Sequence, residues 1–288
     1  MNRQKSFQTT RAALYLVATP IGNLQEMTPR AIEVLKQVSV IACEDTRITG
    51  NLLHHFGIET RLIQHHKFNE KASAQGIIDF LERGYNVAIV SDAGYPLVSD
   101  PGQLLVQMAV EKDYPVIPIS GCSAMLNALV ASGCVVQPFA FIGFLPPNTS
   151  GREKALLEYK NLTMTLVFYE APHRIEKMLE SILQVLGDRQ IVLARELTKK
   201  HEEFIRGKCS EVLSEIEEIK GEFVVVVEGF NKKDSQPIDF AELSLQVEQS
   251  IRAGMSRSQA IKEVAKLSGV SKNELYKQLH VSQEEMDA

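Results

Sequence analysis

The chain has 288 residues with 44% hydrophobic and 23% charged residues, and its net charge is −5 at pH 7. This length suggests about two domains of ordinary globular composition. The negative charge excludes a surface coated in positive charge, so any nucleic-acid surface has to be a local patch. The polar start MNRQKSFQTTR, expected to be flexible over residues 1–11, lacks the apolar core of a signal peptide. No apolar run approaches the roughly 20 residues that span a bilayer, so we expect a cytoplasmic protein without a membrane partner.

Buried-strand patterns alternate with amphipathic patterns through the first half of the chain. Strands are expected at 12–18, 38–43, 61–65, 87–90 and 116–119. Helices are expected from Pro29, with Thr28 as the N-cap, and at 70–82, 101–111 and 123–131, with Ser99 or Asp100 as the cap of the third. The alternation predicts an α/β domain over 12–146 with a mainly parallel sheet covered by helices.

A second α/β domain is expected over 147–230. The segment LPPNTSG (145–151) has the composition of a linker, and strand patterns follow at 165–169, 191–194 and 223–227. Pro172 is expected to open a helix that ends at Gly187. The polar run NKKDSQP predicts a second linker over 231–238.

The remaining residues, 239–288, predict a small helical module. A helix is expected at 256–267, and the capping box SKNE (271–274) follows a glycine-containing turn, as in a helix-turn-helix. Between residues 251 and 280, six basic residues against two glutamates leave a charge of +4. Two interpretations stay open, which are contact with nucleic acid and packing of a solvated helical pair on the body or on a partner subunit.

Three unusual loops follow strands of the first domain, where ligands of open α/β sheets bind. They are TPIGNL (19–24), SDAGYPLVSDPG (91–102) and SGCS (120–123). The patterns GxxxxGK[ST], GxGxxG and GxSxG are absent, which argues against a P-loop, a dinucleotide fingerprint and a serine-hydrolase elbow. The four cysteines and the His54-His55 and His65-His66 pairs lack metal-ligand spacing, so no metal is expected. Small residues with aspartates suit a nucleoside, although Asp92 and Asp100 could equally be turn and cap residues.

Six stretches carry a resemblance to a known family, and they run in order over most of residues 12–230. They are ATPIGNL (18–24), CEDTR (43–47), SDAGYPLVSDPG, FLPP (144–147), FYEAPHR (168–174) and ARELTKKHEE (194–203). With them the sequence resembles the ribosomal RNA small subunit methyltransferase I family, within the tetrapyrrole-methylase-like superfamily of S-adenosylmethionine-dependent methyltransferases. The resemblance implies 2′-O-methylation of a decoding-centre cytidine, two α/β domains with the cofactor in the cleft between them, and commonly a homodimer.

The resemblance also implies which residues contact the cofactor. Carried over by position, they are Pro20, Asp92, Ala93, Gly94, Ser120, Ser123, Tyr169 and Ala194. The third loop lacks the proline-glycine pair of relatives, and the first loop lacks the GxGPG of tetrapyrrole-specific relatives.

A ribose 2′-hydroxyl is a poor nucleophile, so a base or a cation that lowers its pKa would help. The candidates are Glu170, Glu196 and Lys199. Candidates for holding the RNA substrate are Asp45, Arg47, Arg174, Arg195 and Lys200. Each of these residues could instead serve an interdomain salt bridge or a helix cap.

Three functions are therefore weighed from the sequence. The basic C-terminal module and the absence of GxGPG favour an RNA 2′-O-methyltransferase over a tetrapyrrole methyltransferase of the same fold. A non-enzymatic regulator that binds nucleic acid through the helix-turn-helix is the third, and it leaves the three loops unexplained.

Overall fold

The computed structural model describes residues 3–67, 69–216, 220–231, 240–268, 270–272, 275–277 and 279. The chain divides into two compact units, Met1–Phe230 and Asn231–Ala288. The first unit holds two five-stranded sheets, and the second holds the C-terminal helices. Among the described residues, no helix is both long enough and apolar enough to cross a membrane.

The first sheet is entirely parallel, with the strand order β3-β2-β4-β1-β5. Its strands are β1 (Leu14–Val17), β2 (Val40–Cys43), β3 (Leu62–Gln64), β4 (Val87–Val90) and β5 (Val116–Ile119). Its sequence-adjacent helices are α1 (Pro29–Gln37), α2 (Thr46–His55), α3 (Glu70–Glu82), α4 (Gln103–Glu111) and α5 (Ala124–Ser132). Because both faces are covered, the central strands are continuous apolar runs, and the predicted parallel sheet is confirmed.

The starts of α1 and α4 test the capping residues that were predicted from the sequence. Thr28 caps α1 as predicted, since its Oγ1 accepts a hydrogen bond from Ala31 N at 3.2 Å. The cap predicted for α4 is wrong. Neither Ser99 nor Asp100 caps it, because the helix begins later, with Gly102 at the cap position and its N–H donating to Glu70 Oε1 at 2.9 Å.

The second sheet is mixed, with the strand order β6-β7-β10-β8-β9. Its strands are β6 (Phe139–Phe144), β7 (Thr165–Glu170), β8 (Gln190–Arg195), β9 (Glu203–Lys208) and β10 (Phe223–Val227). Only β6 and β7 pair in parallel. The helices of this half are α6 (Thr149–Tyr159), α7 (Ile175–Leu186) and α8 (Cys209–Glu215). The sequence predicted β7, β8 and β10, and it missed β6 and β9.

The segment predicted as a linker at 145–151 instead begins α6. Asn148 caps this helix, because its Oδ1 accepts a hydrogen bond from Gly151 N at 2.7 Å. Arg152 in the first turn is buried, and its Nε donates to Ser181 Oγ of α7 at 2.9 Å. Turn-forming residues here mark a helix start and not a break between domains.

One helix joins the two halves. α5 follows the last strand of the first sheet, but its Ala128 and Leu129 pack in one core cluster with Val167, Val192 and Val224 of the second sheet. The second sheet itself begins at Phe139 of β6, a few residues before the boundary expected at 146. The shared core makes residues of both sheets one compact unit, so a cavity between them has fixed walls.

The C-terminal unit contains α9 (Phe240–Arg252) and α10 (Arg257–Ser268). Leu243 and Val247 of α9 pack against Ile261 and Val264 of α10. The helix predicted at 256–267 is confirmed as α10. The expected linker and the second half of the capping box fall largely outside the described residues.

Candidate functional site

A cavity of about 800 Å³ lies at the loops that follow the strands, between the two sheets of the first unit. Three walls enclose it, formed by the loop after β4, the start of α5 and the ends of β7 and β10. The corresponding lining residues are Asp92–Tyr95 with Val98–Asp100, Ser123–Leu126, and Tyr169–Pro172 with Glu222–Val224. This volume lies within the range of about 300–1,000 Å³ that is typical of small-molecule sites.

The first and second loops are held side by side by backbone hydrogen bonds. Thr19 N donates to Gly94 O at 2.9 Å, and Gly94 N donates to Thr19 O at 3.0 Å. Gly94 has a φ of +80°, and a Cβ there would lie 3.4 Å from Ile21 Cγ2. The position therefore favours glycine for its backbone conformation, and any larger side chain would crowd the first loop.

The third loop is held against the same framework. Gly121 N donates to Tyr95 Oη at 3.2 Å. A Cβ on Gly121 would lie only 2.8 Å from Ala18 Cβ, so the loop passes close to the end of β1. Ser123 consequently lines the cavity, whereas Ser120 is exposed and does not.

Carboxylates gather on the wall that the first sheet contributes. Burial, followed by the charges of Glu44 and Asp92, raises the pKa of Asp100 to about 6. Burial also raises the pKa of Asp92, although that carboxylate accepts a hydrogen bond from Asp45 N at 3.4 Å. Three carboxyl groups, those of Glu44, Asp92 and Asp100, thus stand on this wall of the cavity.

Glu170 contributes a buried carboxylate from the opposite wall. Its Oε1 accepts a hydrogen bond from Ala171 N at 2.9 Å and forms an ion pair with Arg174 Nε at 3.1 Å, a contact that is not aligned as a hydrogen bond. Its Oε2 is buried without a hydrogen-bond partner. Burial raises the pKa of Glu170. The Glu170 side chain is 0% exposed, so the residue stands at the cavity wall while its carboxylate is buried beside Arg174.

Glu196 and Lys199 form a network beside the cavity and do not line it. Lys199 Nζ donates to Glu196 Oε1 and to Glu222 Oε2, each at 2.9 Å. Desolvation alone would lower the pKa of Lys199, but these two hydrogen bonds outweigh it and raise the pKa. The hydrogen bond from Lys199 lowers the pKa of Glu196. The Lys199 stem also lies against Gly22 of the first loop, so the network ties that loop to the second sheet.

Of the eight positions expected at the cofactor, five line the cavity: Asp92, Ala93, Gly94, Ser123 and Tyr169. The other three are outside its lining. Pro20 and Ala194 are buried, and Ser120 is exposed.

None of the five residues expected at the RNA lines the cavity. Asp45 caps α2 and pairs with the exposed Arg47, whose Nη2 lies 2.6 Å from Asp45 Oδ2. Arg195 pairs with Glu203 at 2.8 Å, and Lys200 is exposed. Arg174 is largely buried and donates to Leu145 O at 2.7 Å, which anchors the FLPP stretch.

Several lining residues were not identified from the sequence. Glu44 lies inside the motif CEDTR, but no role was predicted for it. Asp100 was expected either near a nucleoside or at a helix cap, and it lines the cavity without capping α4. Glu222 carried no local signal, because only the pairing of Phe223 in β10 with Glu170 in β7 brings it to the cavity.

A parallel and a mixed α/β sheet around a cavity at the strand ends define the class of tetrapyrrole methylases. The family model described as Tetrapyrrole (Corrin/Porphyrin) Methylases matches residues 13–213. The fold is similar to a uroporphyrin-III-C-methyltransferase from Thermus thermophilus, with a TM-score of 0.54 and 19% identity over 75% of this chain and 94% of that one. It is also similar to a diphthine synthase, with a TM-score of 0.58 and 13% identity over 76% and 90% of the two chains.

Curated relatives are similar over almost the whole length. The ribosomal RNA small subunit methyltransferase I of Bacillus subtilis (strain 168) is 44% identical and covers 98% of this chain and 100% of that protein. That of Streptococcus pyogenes serotype M1 is 47% identical, with 97% and 99% covered. The chain belongs to the ribosomal RNA small subunit methyltransferase I family, which confirms the resemblance seen in the motifs and the predicted fold class.

This family uses S-adenosylmethionine as its methyl donor, as the resemblance implied. The cavity fits such a ligand. Ala93 and Gly94 line the cavity with small residues that leave room for a nucleoside, Met125 and Tyr169 offer apolar surface, and the carboxylates suit a positively charged sulfonium. None of the described residues that line the cavity is a lysine, arginine or histidine, which a triphosphate would require.

Proposed function

We propose that the chain transfers a methyl group from S-adenosylmethionine to the 2′-hydroxyl of a cytidine in small-subunit ribosomal RNA. The observation that carries this proposal is the 44–47% identity, over nearly the whole chain, to proteins named ribosomal RNA small subunit methyltransferase I. The cavity supports it, because its size and charge suit the methyl donor.

The donor would be held by the five expected residues that line the cavity, namely Asp92, Ala93, Gly94, Ser123 and Tyr169. S-adenosylmethionine, when bound, supplies a methyl group that its sulfonium already activates. The chain then has to align the ribose oxygen with the methyl carbon and remove the hydroxyl proton.

Glu170 is the proposed proton acceptor. Glu170 lies at the cavity wall and its Oε2 has no hydrogen-bond partner, but its side chain is 0% exposed, so this side chain has to turn toward the ribose to accept the proton. Glu196 is paired with Lys199 outside the cavity. Lys199 is held protonated by its two glutamates, so at neutral pH it does not accept a proton. In the proposed step the 2′-hydroxyl proton passes to Glu170 Oε2 while the ribose oxygen bonds to the methyl carbon and the carbon–sulfur bond breaks.

The RNA would be held outside the cavity by basic residues of both units. Arg47 and Lys200 are exposed on the first unit, and Arg195 is partly exposed beside Glu203. On the C-terminal unit, Arg252 and Lys262 are exposed. Such residues favour a polyanion through release of its counterions.

The direct test uses small ribosomal subunits purified from a strain that lacks this protein. Incubation with labelled S-adenosylmethionine is expected to add one methyl group per subunit, recovered as an alkali-resistant dinucleotide containing cytidine. Subunits from the parent strain, already modified, provide the control and should accept almost no label. Label on a base, or label on a porphyrinoid instead of the subunit, would contradict the proposal.

We also propose that the protein acts in the cytoplasm, where ribosomal subunits are assembled, as a homodimer. A run of exposed apolar side chains supports the dimer: Leu126 and Val130 of α5, followed by Val135 and Val136. Burial of such a surface stabilises association. Light scattering is expected to give twice the chain mass of 32.1 kDa, and a mass of one chain at micromolar concentration would contradict it.

A further inference from the structure

The last residue of β6 presents an exposed aromatic ring at the cavity. Phe144 lines the cavity and is 54% exposed, whereas the neighbouring Tyr169 is partly buried. The centroids of these two rings are 5.7 Å apart, with an edge-to-face angle of 62°. The ring of Phe141 meets Tyr169 in the same way, at 4.9 Å. The outermost ring of this cluster, that of Phe144, is therefore open to a molecule that enters the cavity.

A β-bulge gives Phe144 this direction. Side chains alternate between the two faces of a strand, so in a regular β6 Phe144 would face away from Phe141. The register with β7 shifts, however, because Phe141 lies opposite Val167 and Phe144 lies opposite Tyr169. Phe144 consequently shares the face of Phe141 and Tyr169, and not the face that packs against α6 and α7. Bulges commonly re-aim a side chain in this way next to active sites.

The backbone that follows the ring is anchored at three successive carbonyls. Arg174 Nη2 donates to Leu145 O at 2.7 Å and to Pro146 O at 3.4 Å. Arg152 Nη1, on a fully buried residue, donates to Pro147 O at 3.3 Å. These bonds fix the backbone position of the ring before a ligand binds, which lowers the ordering cost of binding.

The composition of the lining indicates which part of an RNA substrate meets this ring. None of the described lining residues is a lysine, arginine or histidine, so phosphates find no charged partner in the cavity. A ribose whose 2′-hydroxyl reaches the methyl donor carries its nucleobase on the adjacent carbon, so the base has to lie against the cavity wall. Proteins that bind unpaired RNA commonly stack such bases on phenylalanine, tyrosine or tryptophan.

We propose that Phe144 is the stacking platform for the nucleobase of the nucleotide that is methylated. This inference rests on the proposed function, and it adds an RNA contact that is distinct from the five residues assigned to the methyl donor. Stacking restrains the ribose, so that its 2′-hydroxyl stays aligned with the methyl carbon. Because every base has a planar face, the platform binds the base without reading its identity.

The test is single-turnover methylation of unmodified small ribosomal subunits over a range of subunit concentrations, with the full-length protein. Phe144→Ala should lower the rate at limiting subunit about fivefold to 150-fold, the range expected for loss of one base–aromatic stack. Phe144→Tyr keeps the ring and should stay within about twofold of the parent protein. Phe144→Leu should lose as much as the alanine variant, because stacking needs a ring, whereas a packing role would accept leucine.

Two controls separate an RNA contact from other effects. Leu157→Ala removes a similarly exposed apolar side chain from α6, outside the cavity lining, and should leave the rate unchanged. Calorimetric titration should give the same S-adenosylmethionine affinity for the parent protein and for every Phe144 variant.

Each contrary outcome has its own meaning. If the parent protein methylates subunits and the alanine and leucine variants match its rate, the platform is refuted and the proposed function stands. Equal losses in the tyrosine, leucine and alanine variants would indicate a requirement for shape and overturn stacking. Weaker S-adenosylmethionine binding by Phe144→Ala would place the ring at the cofactor instead. Failure of the parent protein to methylate subunits would refute the proposed function itself, and the platform with it.

Discussion

Glu170 and Glu196 each stand at or just beyond the end of a second-sheet strand, and their surroundings give them different chemistry. Glu196 Oε1 accepts hydrogen bonds from Lys199 Nζ and from Glu222 N, and its pKa is lowered. Glu170 keeps one oxygen free, and burial raises its pKa. A carboxylate that accepts a proton near neutral pH needs a raised pKa, so the environment separates the two candidates.

The first prediction is therefore made with a matched pair of variants. Glu170→Gln should lower the single-turnover rate of subunit methylation about 10²–10⁴-fold, because it keeps the shape and removes the base. Glu196→Gln makes the same chemical change outside the cavity and should cost less than about tenfold. The measurement is rapid-quench methylation at saturating subunit.

Binding controls decide what a loss of rate means. S-adenosylmethionine affinity should be retained in Glu170→Gln, and the pH–rate profile should lose its acidic limb. A rate within about tenfold of the parent protein would reduce Glu170 to a residue that anchors Arg174. In that case alignment of the ribose oxygen alone would account for catalysis.

At the residue scale, motif positions could be predicted and tertiary partners could not. Asp92, Gly94 and Tyr169 were expected at the cofactor from the motifs, and all three line the cavity. The pairing of Lys199 with Glu222 spans 23 residues of sequence. This pairing depends on the position of β10 between β7 and β8, and that strand order cannot be predicted from local sequence patterns.

At the scale of elements, two loops of the site hold non-glycine residues with positive φ. They are Leu97 and Ser99 after β4, with φ of 71° and 73°, and Glu196 and Thr198 after β8, with φ of 50° and 68°. Such conformations cost about 1–3 kcal/mol each and persist where the surroundings over-determine them. Backbone hydrogen bonds between Gly94 and Thr19 hold the loop after β4, and the hydrogen bond from Lys199 to Glu196 holds the loop after β8. The cavity is thus bordered by preorganised loops.

The elements that the sequence missed have physical reasons in common. β9 is an edge strand, EFIRGK, with no buried residue, so it shows no apolar run. α6 buries only Arg152 and Leu156 and has little apolar periodicity. The strands that were predicted in full, such as β4 and β10, are buried along their whole length. A strand that is buried on both faces has a continuous apolar sequence, whereas an edge strand or a largely polar helix shows no such pattern.

At the scale of the whole molecule, charge and chemistry are divided between the two units. The cavity lies within Met1–Phe230, which is acidic around its lining. The segment 251–280 carries +4 in a chain of −5, and it belongs to the other unit. An anionic cavity repels RNA phosphates, so attraction for the substrate has to come from elsewhere on the surface.

The last prediction tests that division with two variants. Removal of residues 238–288 should leave S-adenosylmethionine affinity unchanged, because the cavity and its core lie in the first unit. Binding of RNA should weaken, and the slope of log K against log salt should become shallower by about 0.7–0.9 for each phosphate that the protein no longer neutralises.

The second variant keeps the full chain and changes only charge. Lys262→Gln with Lys272→Gln neutralises two exposed lysines of the C-terminal unit. If these lysines bind phosphates, the salt slope of this variant should be shallower by about 1.4–1.8, while its far-ultraviolet spectrum stays that of the parent protein. Filter binding to small-subunit RNA between low and physiological salt measures both slopes. Equal slopes for all three proteins would mean that the C-terminal helices serve packing or dimerisation, and that the RNA is captured by the first unit alone.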